Sequence, residues 1–297
     1  MESKPKISEV SLGNQDLKIQ TRALGAELTS IIDKDGQEYL WQGHSTKWER
    51  KNPVLFPIIA TIKNDHYNYG GQQFHLPIHG FALNENFQLV GQNDQEIIWQ
   101  LESYAATRQW YPFNFILQVK YFLEGNKLKV SYNVRNTGNQ EMPFCVGGHP
   151  TFACPLEKKL HFNDYLLAFE QNENILRLTM DGALMSGKTE PLLEDQREIP
   201  LQKSLFQENA IVTKNIKSRF LTYQSGQGNK GVRLHLGNST HLGIFSWSES
   251  LTDEYICIEP WIGLPGFQDE STLEEKEGVI ILPPEQNYEM NYVIEIL

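Results

Sequence analysis

The sequence NFILQVKYFLEGNKLKVSYNVRN, from Asn114 to Asn136, carries the clearest secondary-structure signal in the chain. Apolar residues alternate with other residues on both sides of a short turn at Glu124-Gly125-Asn126. In the second half, each apolar residue is followed by a polar or charged one, which is typical of a strand with one buried and one solvated face. Because side chains alternate between the two faces of a strand, this pattern predicts a long antiparallel hairpin.

Shorter apolar stretches separated by turn residues continue this pattern on both sides of the hairpin. Lys18 to Thr21, Ala26 to Ile32 and a returning strand at Gln37 to Trp41 predict an opening hairpin or meander. Tyr288 to Ile296 predicts a closing strand. The stretch from Lys158 to Arg219 predicts short strands between polar loops, with one helical turn near Leu201 to Phe206. Most of the predicted elements are therefore strands.

Composition agrees with a sheet protein that has a large core. The chain has 297 residues, of which 40% are hydrophobic and 11% are aromatic. Aromatic and β-branched residues favour sheet, and all-β domains often reach this length as one unit. Since no repeat, low-complexity run or linker is visible, we predict a single all-β domain over residues 1–297.

Charge and cysteine content exclude several classes of protein. The net charge of −11 argues against binding to nucleic acid or to an anionic membrane surface, because both need a basic surface. The N-terminus MESKPKISEV lacks the apolar core of a signal peptide, and no apolar run approaches the roughly 20 residues that cross a bilayer. Three cysteines without a CxxC spacing indicate a reducing compartment, so we expect a cytoplasmic protein without disulfides.

One histidine stands in an unusual local sequence, MPFCVGGHPTFACP, from Met142 to Pro155. His149 follows two glycines and precedes Pro150, which pushes it into an extended backbone with open space beside it. The pKa of an unperturbed histidine lies near neutrality, which suits proton transfer. A lone histidine of this kind is more often structural, so a catalytic interpretation requires a partner.

A candidate partner lies in YICIEPWIGLPGF, from Tyr255 to Phe267. Tyr255, Cys257 and Glu259 would share one face of a strand. A carboxylate among apolar neighbours loses solvation, which raises its pKa and makes it a better proton acceptor near neutral pH. The alternative is an exposed glutamate at a strand end, which the apolar surroundings disfavour.

A second group of histidines lies in HLPIHGF, where His75 and His79 are four residues apart. On a helix this spacing would suggest a metal pair, but Pro77 argues against a helix. In a strand the two side chains would share a face, yet no third ligand is obvious nearby. We therefore expect no metal, and we consider His79 a better candidate for contact with a polar ligand.

Common catalytic motifs are absent from the sequence. There is no phosphate loop, dinucleotide fingerprint, HExxH or GxSxG. A glycosidase would need a second acid to pair with Glu259, and none stands out in a comparable apolar setting. Four tryptophans are candidates for stacking on sugars, although each is more often a core residue: Trp41, Trp110, Trp247 and Trp261.

Taken together, these motifs resemble the aldose 1-epimerase (galactose mutarotase) family, nearest its bacterial LacX-type branch. The resemblance extends over nearly the whole chain, and its motifs occur in the family's order. The matching stretches are NPVLFPII (Asn52 to Ile59), LPIHGF (Leu76 to Phe81), YPFNF (Tyr111 to Phe115), MPFCVGGHP (Met142 to Pro150) and CIEPW (Cys257 to Trp261).

The resemblance implies a large antiparallel β-sandwich that interconverts the α and β anomers of an aldohexose or hexose phosphate without a cofactor. Glu259 would be the general base and His149 the general acid that protonates the ring oxygen. His79 would bind sugar oxygens, and Trp261 would lie in the binding site. The partner would be a small sugar, and we expect a monomer or a weak homodimer.

Two positions depart from the family pattern. Thr61 stands where an arginine usually follows the FPII-type run, and Asn209 stands where an aspartate usually contacts sugar hydroxyls. Lys63 is a candidate to replace the lost positive charge. Loss of a bidentate donor and of a charged acceptor would each cost about 1–3 kcal/mol of binding free energy.

These departures keep alternatives open. The first is a sugar-binding or regulatory protein on the same fold with little catalysis, which the residues at positions 61 and 209 favour. The second is a glycoside-processing enzyme, which the lack of a second acid disfavours.

Overall fold

The computed structural model describes residues 8–43, 48–207, 210–246 and 255–297. These residues form the following strands: β1 (Glu9–Gly13), β2 (Leu17–Arg22), β3 (Leu28–Asp33), β4 (Val54–Leu55), β5 (His66–Tyr69), β6 (Gln72–His75), β7 (Gln88–Gln92), β8 (Glu96–Glu102), β9 (Phe115–Glu124), β10 (Lys127–Asn136), β11 (Met142–Phe144), β12 (Val146–Gly148), β13 (Thr151–Ala153), β14 (Tyr165–Asp181), β15 (Leu184–Pro200), β16 (Ile211–Lys214), β17 (Phe220–Ser225), β18 (Gly231–His235), β19 (His241–Phe245), β20 (Tyr255–Ile262), β21 (Ile280–Leu282) and β22 (Asn287–Ile296).

Helical structure in the described residues is confined to short turns. There is one α-helical turn, α1 (Thr107–Trp110), and four 3-10 turns at Lys63–Asp65, Ala82–Asn84, Phe162–Asp164 and Lys203–Phe206. The last of these confirms the helical turn predicted near Leu201 to Phe206. The all-β prediction is confirmed.

The strands form a large antiparallel β-sandwich. Thirteen strands follow one continuous hydrogen-bonded order, β4-β12-β20-β19-β16-β14-β17-β18-β22-β10-β9-β8-β7, to which β13 adds through β20 and β15 through β14. Three smaller sheets, β1-β2-β3, β5-β6 and β11-β21, complete the described structure. The opening meander is thus present, but Gln37 to Trp41 makes only isolated bridges at Glu38 and Leu40, so the prediction of a returning strand was wrong.

The predicted hairpin is confirmed as β9 and β10, which pair from Lys127 with Glu124 to Asn136 with Phe115. Strand β10 pairs on its other side with β22, the predicted closing strand. Buried apolar residues of β10 and β22 alternate with residues that are mostly exposed or half-buried, the buried polar exceptions being Ser131 and Asn136. One face of this central region is therefore buried in the core, as the alternating pattern predicts.

The stretch from Lys158 to Arg219 differs from the prediction of short strands. It contains β14 and β15, which are 17 residues each and pair as a long hairpin with several register shifts. Most side chains of β15 are exposed, so this strand has no buried face to impose an alternating pattern on its sequence. The irregular register explains why the sequence resembles separate short strands.

A buried polar network lies directly behind the histidine stretch. The backbone N–H of His149 donates to Asn52 Oδ1 (3.1 Å), and the Asn52 amide donates to the Tyr292 hydroxyl (3.0 Å). That hydroxyl lies 3.2 Å from the hydroxyl of Tyr132. Because Asn52, Tyr132 and Tyr292 are each at most 1% exposed, the network fixes the backbone at His149 to the centre of the sandwich.

Gly148 lies against this network, and its lack of a side chain is a packing requirement. A methyl group at position 148 would lie 2.5 Å from the Tyr292 hydroxyl oxygen and 2.8 Å from that of Tyr132. We expect Gly148→Ala to lower the free energy of unfolding by about 1–3 kcal/mol, because overpacking forces rigid buried rings to move. Urea denaturation followed by tryptophan fluorescence measures this.

The matched control is Gly226→Ala, since a methyl group at position 226 would meet nothing within 4 Å. This variant should unfold at nearly the wild-type urea concentration. Equal denaturation midpoints for the two variants would show that the space beside Gly148 is not limiting.

Candidate active site

The register of three strands places His149 opposite Glu259. Strand β20 pairs with β12 through Gly147 and Trp261, and with β13 through Thr151 and Cys257. His149 lies midway between Gly147 and Thr151, as Glu259 lies midway between Cys257 and Trp261. The two residues are therefore cross-strand neighbours on one face of the sheet.

The side chains of this pair are in direct contact. His149 Nε2 lies 3.2 Å from Glu259 Oε2, and the two residues are only 5% and 3% exposed. Both line a cleft of about 410 Å³ that opens to solvent. An imidazole and a carboxyl group in contact at the floor of a cleft can exchange protons with a ligand and with each other.

Burial moves the pKa values of these two groups in opposite directions. Loss of solvation raises the pKa of Glu259 well above its ordinary value, and the nearby Trp261 indole opposes this only in part. Burial, helped by the neighbouring His79, lowers the pKa of His149 well below its ordinary value. Because a second proton is hard to add and the last proton is hard to remove, the pair holds one proton over a wide pH range.

His79 lies beside the pair, with its ring centroid 5.3 Å from that of His149. Its ring Nδ1 accepts a hydrogen bond from the backbone N–H of Ala60 (3.1 Å), and the backbone N–H of His79 donates to the Ala60 carbonyl (2.7 Å). Burial lowers the pKa of His79 to about 4, so the ring is neutral at pH 7. Since Nδ1 is an acceptor, Nε2 carries the ring proton and is a donor to a ligand.

The backbone is strained at His79 and at Ala60, to which His79 is hydrogen-bonded. His79 has φ +62° and Ala60 has φ +49°, values that non-glycine residues rarely adopt. Such strain persists where surrounding contacts over-determine the conformation, and it concentrates at ligand-binding sites. The two hydrogen bonds between Ala60 and His79 supply those contacts here.

Trp48 covers His149 from the cleft side, a role that the sequence interpretation missed. The two rings stack with centroids 4.1 Å apart and planes inclined by 19°. The Trp48 indole N–H donates to Thr151 Oγ1 (3.2 Å), which fixes the ring over the imidazole. An aromatic face stabilises a cation above it, so Trp48 favours the protonated form of His149. No spacing or periodicity in the sequence relates residues 48 and 149.

Trp261 lies on a surface made by glycines of the two neighbouring strands. A methyl group at Gly147 would lie 2.5 Å from Trp261 Cδ1, and one at Gly243 would overlap the far edge of the same ring. These glycines let the large ring lie across β12 and β19 next to Glu259. Trp261 lines the cleft, so the structure brings together four residues predicted for the site: His79, His149, Glu259 and Trp261.

Other candidates lie elsewhere. Lys63 donates from its ammonium to the Gln268 carbonyl (2.6 Å) and is not among the described residues that line the cleft, so its role in substrate binding stays a prediction. Asn209 and Trp247 lie outside the described residues. Trp41 packs on Tyr255 away from the cleft.

The cleft walls are mostly apolar. Thr61 lies in the wall, but its hydroxyl donates to the Ala183 carbonyl (2.7 Å). Apart from the catalytic candidates, the polar lining is limited, and among the described lining residues there is no lysine or arginine. The apolar part includes Ile78, Met180, Phe206, Val212 and Phe245.

This sandwich, with a histidine–glutamate pair in its cleft, is of the galactose mutarotase-like class. The model of the aldose 1-epimerase family matches residues 8–294, and the chain belongs to this family. It is 34% identical to the chromosomal protein LacX of Lactococcus lactis subsp. lactis over 298 residues, which covers 97% of this chain and 99% of that relative.

Two solved structures are similar over nearly their full length. The galactose mutarotase related enzyme from Lactobacillus acidophilus has 28% sequence identity and a TM-score of 0.92, with 97% of each chain covered. A galactose mutarotase-like protein from Lactobacillus casei has 27% identity and a TM-score of 0.91, with 98% of this chain and 100% of that chain covered. Among the described residues, no helix is long and apolar enough to cross a membrane.

The stacking of Trp48 on His149 gives a test of the site that needs no substrate. In Trp48→Leu the imidazole keeps an apolar cover but loses the aromatic face. We expect the pKa of His149 to fall further in this variant, since a cation–π contact stabilises the imidazolium by about 0.5–2 kcal/mol. The measurement is an NMR pH titration of the His149 ring signals, assigned with His149→Asn.

Trp48→Phe is the matched control, because it retains an aromatic face and should shift the titration less than Trp48→Leu. If the two variants titrate alike, the stacked ring does not stabilise the imidazolium.

Proposed function

We propose that this protein is an aldose 1-epimerase that interconverts the α and β anomers of a free aldohexose. The observation that carries the proposal is the contact between His149 and Glu259 at the floor of the cleft. The hydroxyl oxygen and the ring oxygen of a cyclic sugar are bonded to the same anomeric carbon. An acid and a base that touch each other can therefore reach both oxygens of one sugar.

Ring opening uses the single proton of the pair. With that proton on His149, Glu259 takes the proton of the anomeric hydroxyl while His149 gives its proton to the ring oxygen. The bond between the anomeric carbon and the ring oxygen breaks, and the open-chain aldehyde forms. The pair still holds one proton, now on Glu259. Rotation about the bond between the first two carbons and closure in the reverse sense give the other anomer.

The two proton arrangements of the pair have different sources of stabilisation. The stacked face of Trp48 favours the imidazolium that begins ring opening. Burial favours the uncharged arrangement, with protonated Glu259 and neutral His149, that follows it. Each of the two arrangements through which the reaction passes therefore has its own source of stabilisation.

Binding of the sugar is assigned to the residues around the pair. The neutral ring of His79 offers its Nε2–H to a sugar oxygen. The indole ring of Trp261 offers an aromatic surface beside the anomeric centre. Contributions from Lys63 and Asn209 stay predictions.

A sugar-binding protein with little catalysis is the second candidate. The observation that favours it is the commitment of the Thr61 hydroxyl to a backbone carbonyl, which leaves no cationic donor at the position of the family's arginine. The same site would then bind a sugar without anomerising it.

Polarimetry of freshly dissolved α-glucose and α-galactose separates the two candidates. We expect wild-type protein to accelerate equilibration, and His149→Ala and Glu259→Gln to lose about 10²–10⁴-fold of that rate, as removal of a general acid or base does. The controls His75→Ala and Glu285→Gln change exposed residues outside the cleft and should retain the wild-type rate.

The wild-type rate should also be constant through neutral pH. It should fall in acid, when a second proton reaches His149, and in alkali, when the last proton leaves Glu259. If the protein binds a sugar but does not accelerate its anomeric equilibration at any pH, the proposed enzymatic activity is wrong and a sugar-binding function remains.

The lack of cations in the described cleft favours an uncharged sugar. A phosphate group would be desolvated near a carboxyl group without a compensating lysine or arginine. We expect kcat/KM for glucose 6-phosphate to be at least about tenfold below that for glucose, a difference of about 1.4 kcal/mol. Rates are corrected for spontaneous equilibration, and 6-deoxyglucose controls for loss of the 6-hydroxyl. Equal values for glucose and its phosphate would contradict the assignment.

A further inference from the structure

Cys257 lies beside the acid/base pair but has no part in the proposed proton transfers. It precedes Glu259 by two residues on β20, so both side chains lie on one face of that strand. Ligand atoms of His149, Cys257 and Glu259 all lie within 4.8 Å of one another. All three residues are buried, and among the hydrogen-bonding groups of the described residues the Cys257 thiol contacts the Thr151 hydroxyl alone, at 3.4 Å.

The donor set is one nitrogen, one sulfur and one oxygen. Zinc sites use these three donors at bond lengths of about 2.0–2.3 Å, so neighbouring ligands of a tetrahedral zinc lie roughly 3.3–3.7 Å apart. The 3.2 Å separation of His149 Nε2 and Glu259 Oε2 is already close to that spacing. The remaining separations, at most 4.8 Å, exceed this spacing by about 1 Å, and a movement of the thiol toward the other two ligands would close the gap.

We propose that His149, Cys257 and Glu259 form a binding site for one Zn²⁺ or similar soft divalent ion. The fourth coordination position faces the cleft, which His149 and Glu259 line. An ion in this position occupies both the acid and the base. Zinc is therefore a reversible inhibitor of the reaction proposed above, and only this last statement depends on the proposed function.

Charge and proton balance support the site. His149 ligates as a neutral imidazole, Cys257 as a thiolate and Glu259 as a carboxylate. The thiol proton and the single proton of the acid/base pair pass to solvent, so two protons leave for each ion bound. The charges of the ion and its ligands then sum to zero, which suits a buried position. Affinity should rise with pH because protons compete with the ion.

The surroundings indicate an inhibitory rather than a structural site. Thr151 contacts the cysteine sulfur, but His149 Nδ1 has no hydrogen-bond partner in the described structure. A zinc-bound histidine usually donates from its second nitrogen, and the loss of such a partner lowers affinity by about 10–100-fold. Structural zinc sites usually have four protein ligands, whereas this site offers three and leaves the fourth position open to water.

Cobalt tests the site directly and without any sugar. Co²⁺ added to metal-free wild-type protein should produce a thiolate-to-cobalt charge-transfer band in the near ultraviolet, saturating at one ion per chain, and Zn²⁺ should abolish it. Cys257→Ser should lose the band and bind Zn²⁺ at least tenfold more weakly in calorimetry. Cys145→Ser, which changes another buried cysteine, should retain both properties.

Glu259→Gln keeps the sulfur ligand and provides a second variant. It should retain the band at higher cobalt concentration, and thermal unfolding confirms that each variant is folded. Absence of the band in wild type, or its persistence in Cys257→Ser, would overturn the site.

Inhibition is read as the ratio of mutarotation rates with and without Zn²⁺ within each variant. The ratio should fall with added Zn²⁺ for wild type and Cys145→Ser and stay near one for Cys257→Ser, with sugar protecting the wild type. If no sugar is anomerised but the cobalt band forms, the proposed function fails and the metal site stands. If sugars are anomerised and no band forms, the metal site fails and the proposed function stands.

Discussion

The antiparallel pairing of β20 with β12 and β13 is the constraint on which the candidate site depends. Strand β20 pairs with the short strands β12 and β13 in one continuous register, and His149 lies between these two strands in the sequence. Pro150 keeps the chain between them extended, so the register continues across it and sets the histidine against the glutamate. The network of Asn52, Tyr132 and Tyr292 then ties this part of the chain to the centre of the sandwich. The geometry of the site is thus a property of the sheet rather than of a loop.

Burial is the second general influence, and it acts on every titratable group at the floor of the cleft. It keeps His79 neutral, lowers the proton affinity of His149 and raises that of Glu259. Desolvation disfavours an isolated imidazolium at His149 and an isolated carboxylate at Glu259. As a pair, the two residues therefore hold one proton between them. Cys257 shares this environment, because burial also raises the pKa of its thiol.

The sequence predicts the parts of the fold where local pattern and tertiary environment agree. The hairpin of β9 and β10 has one buried face, so its alternation is visible in the residues themselves. Strand β15 is largely exposed, and its length could not be predicted because it lacks such a face. Neighbouring proline, glycine and apolar residues made His149 and Glu259 candidates from the sequence, but their contact becomes visible only in the register of the strands. Trp48 was missed because only the folded chain brings it over the imidazole, and the hydrogen bond of Lys63 to Gln268 depends equally on tertiary structure.

The glycines beneath Trp261 have a consequence for how this cleft can change during evolution. Gly147 and Gly243 belong to different strands, yet both are kept small by one indole ring. While the tryptophan is present, a side chain at either glycine is excluded. Once a smaller residue replaces it, the main restriction at Gly243 is removed, and the restriction at Gly147 is relaxed, although a side chain there still meets the Pro260 carbonyl oxygen at 3.0 Å. The three positions therefore form an epistatic unit, in which the order of substitutions decides which variants of the cleft are accessible.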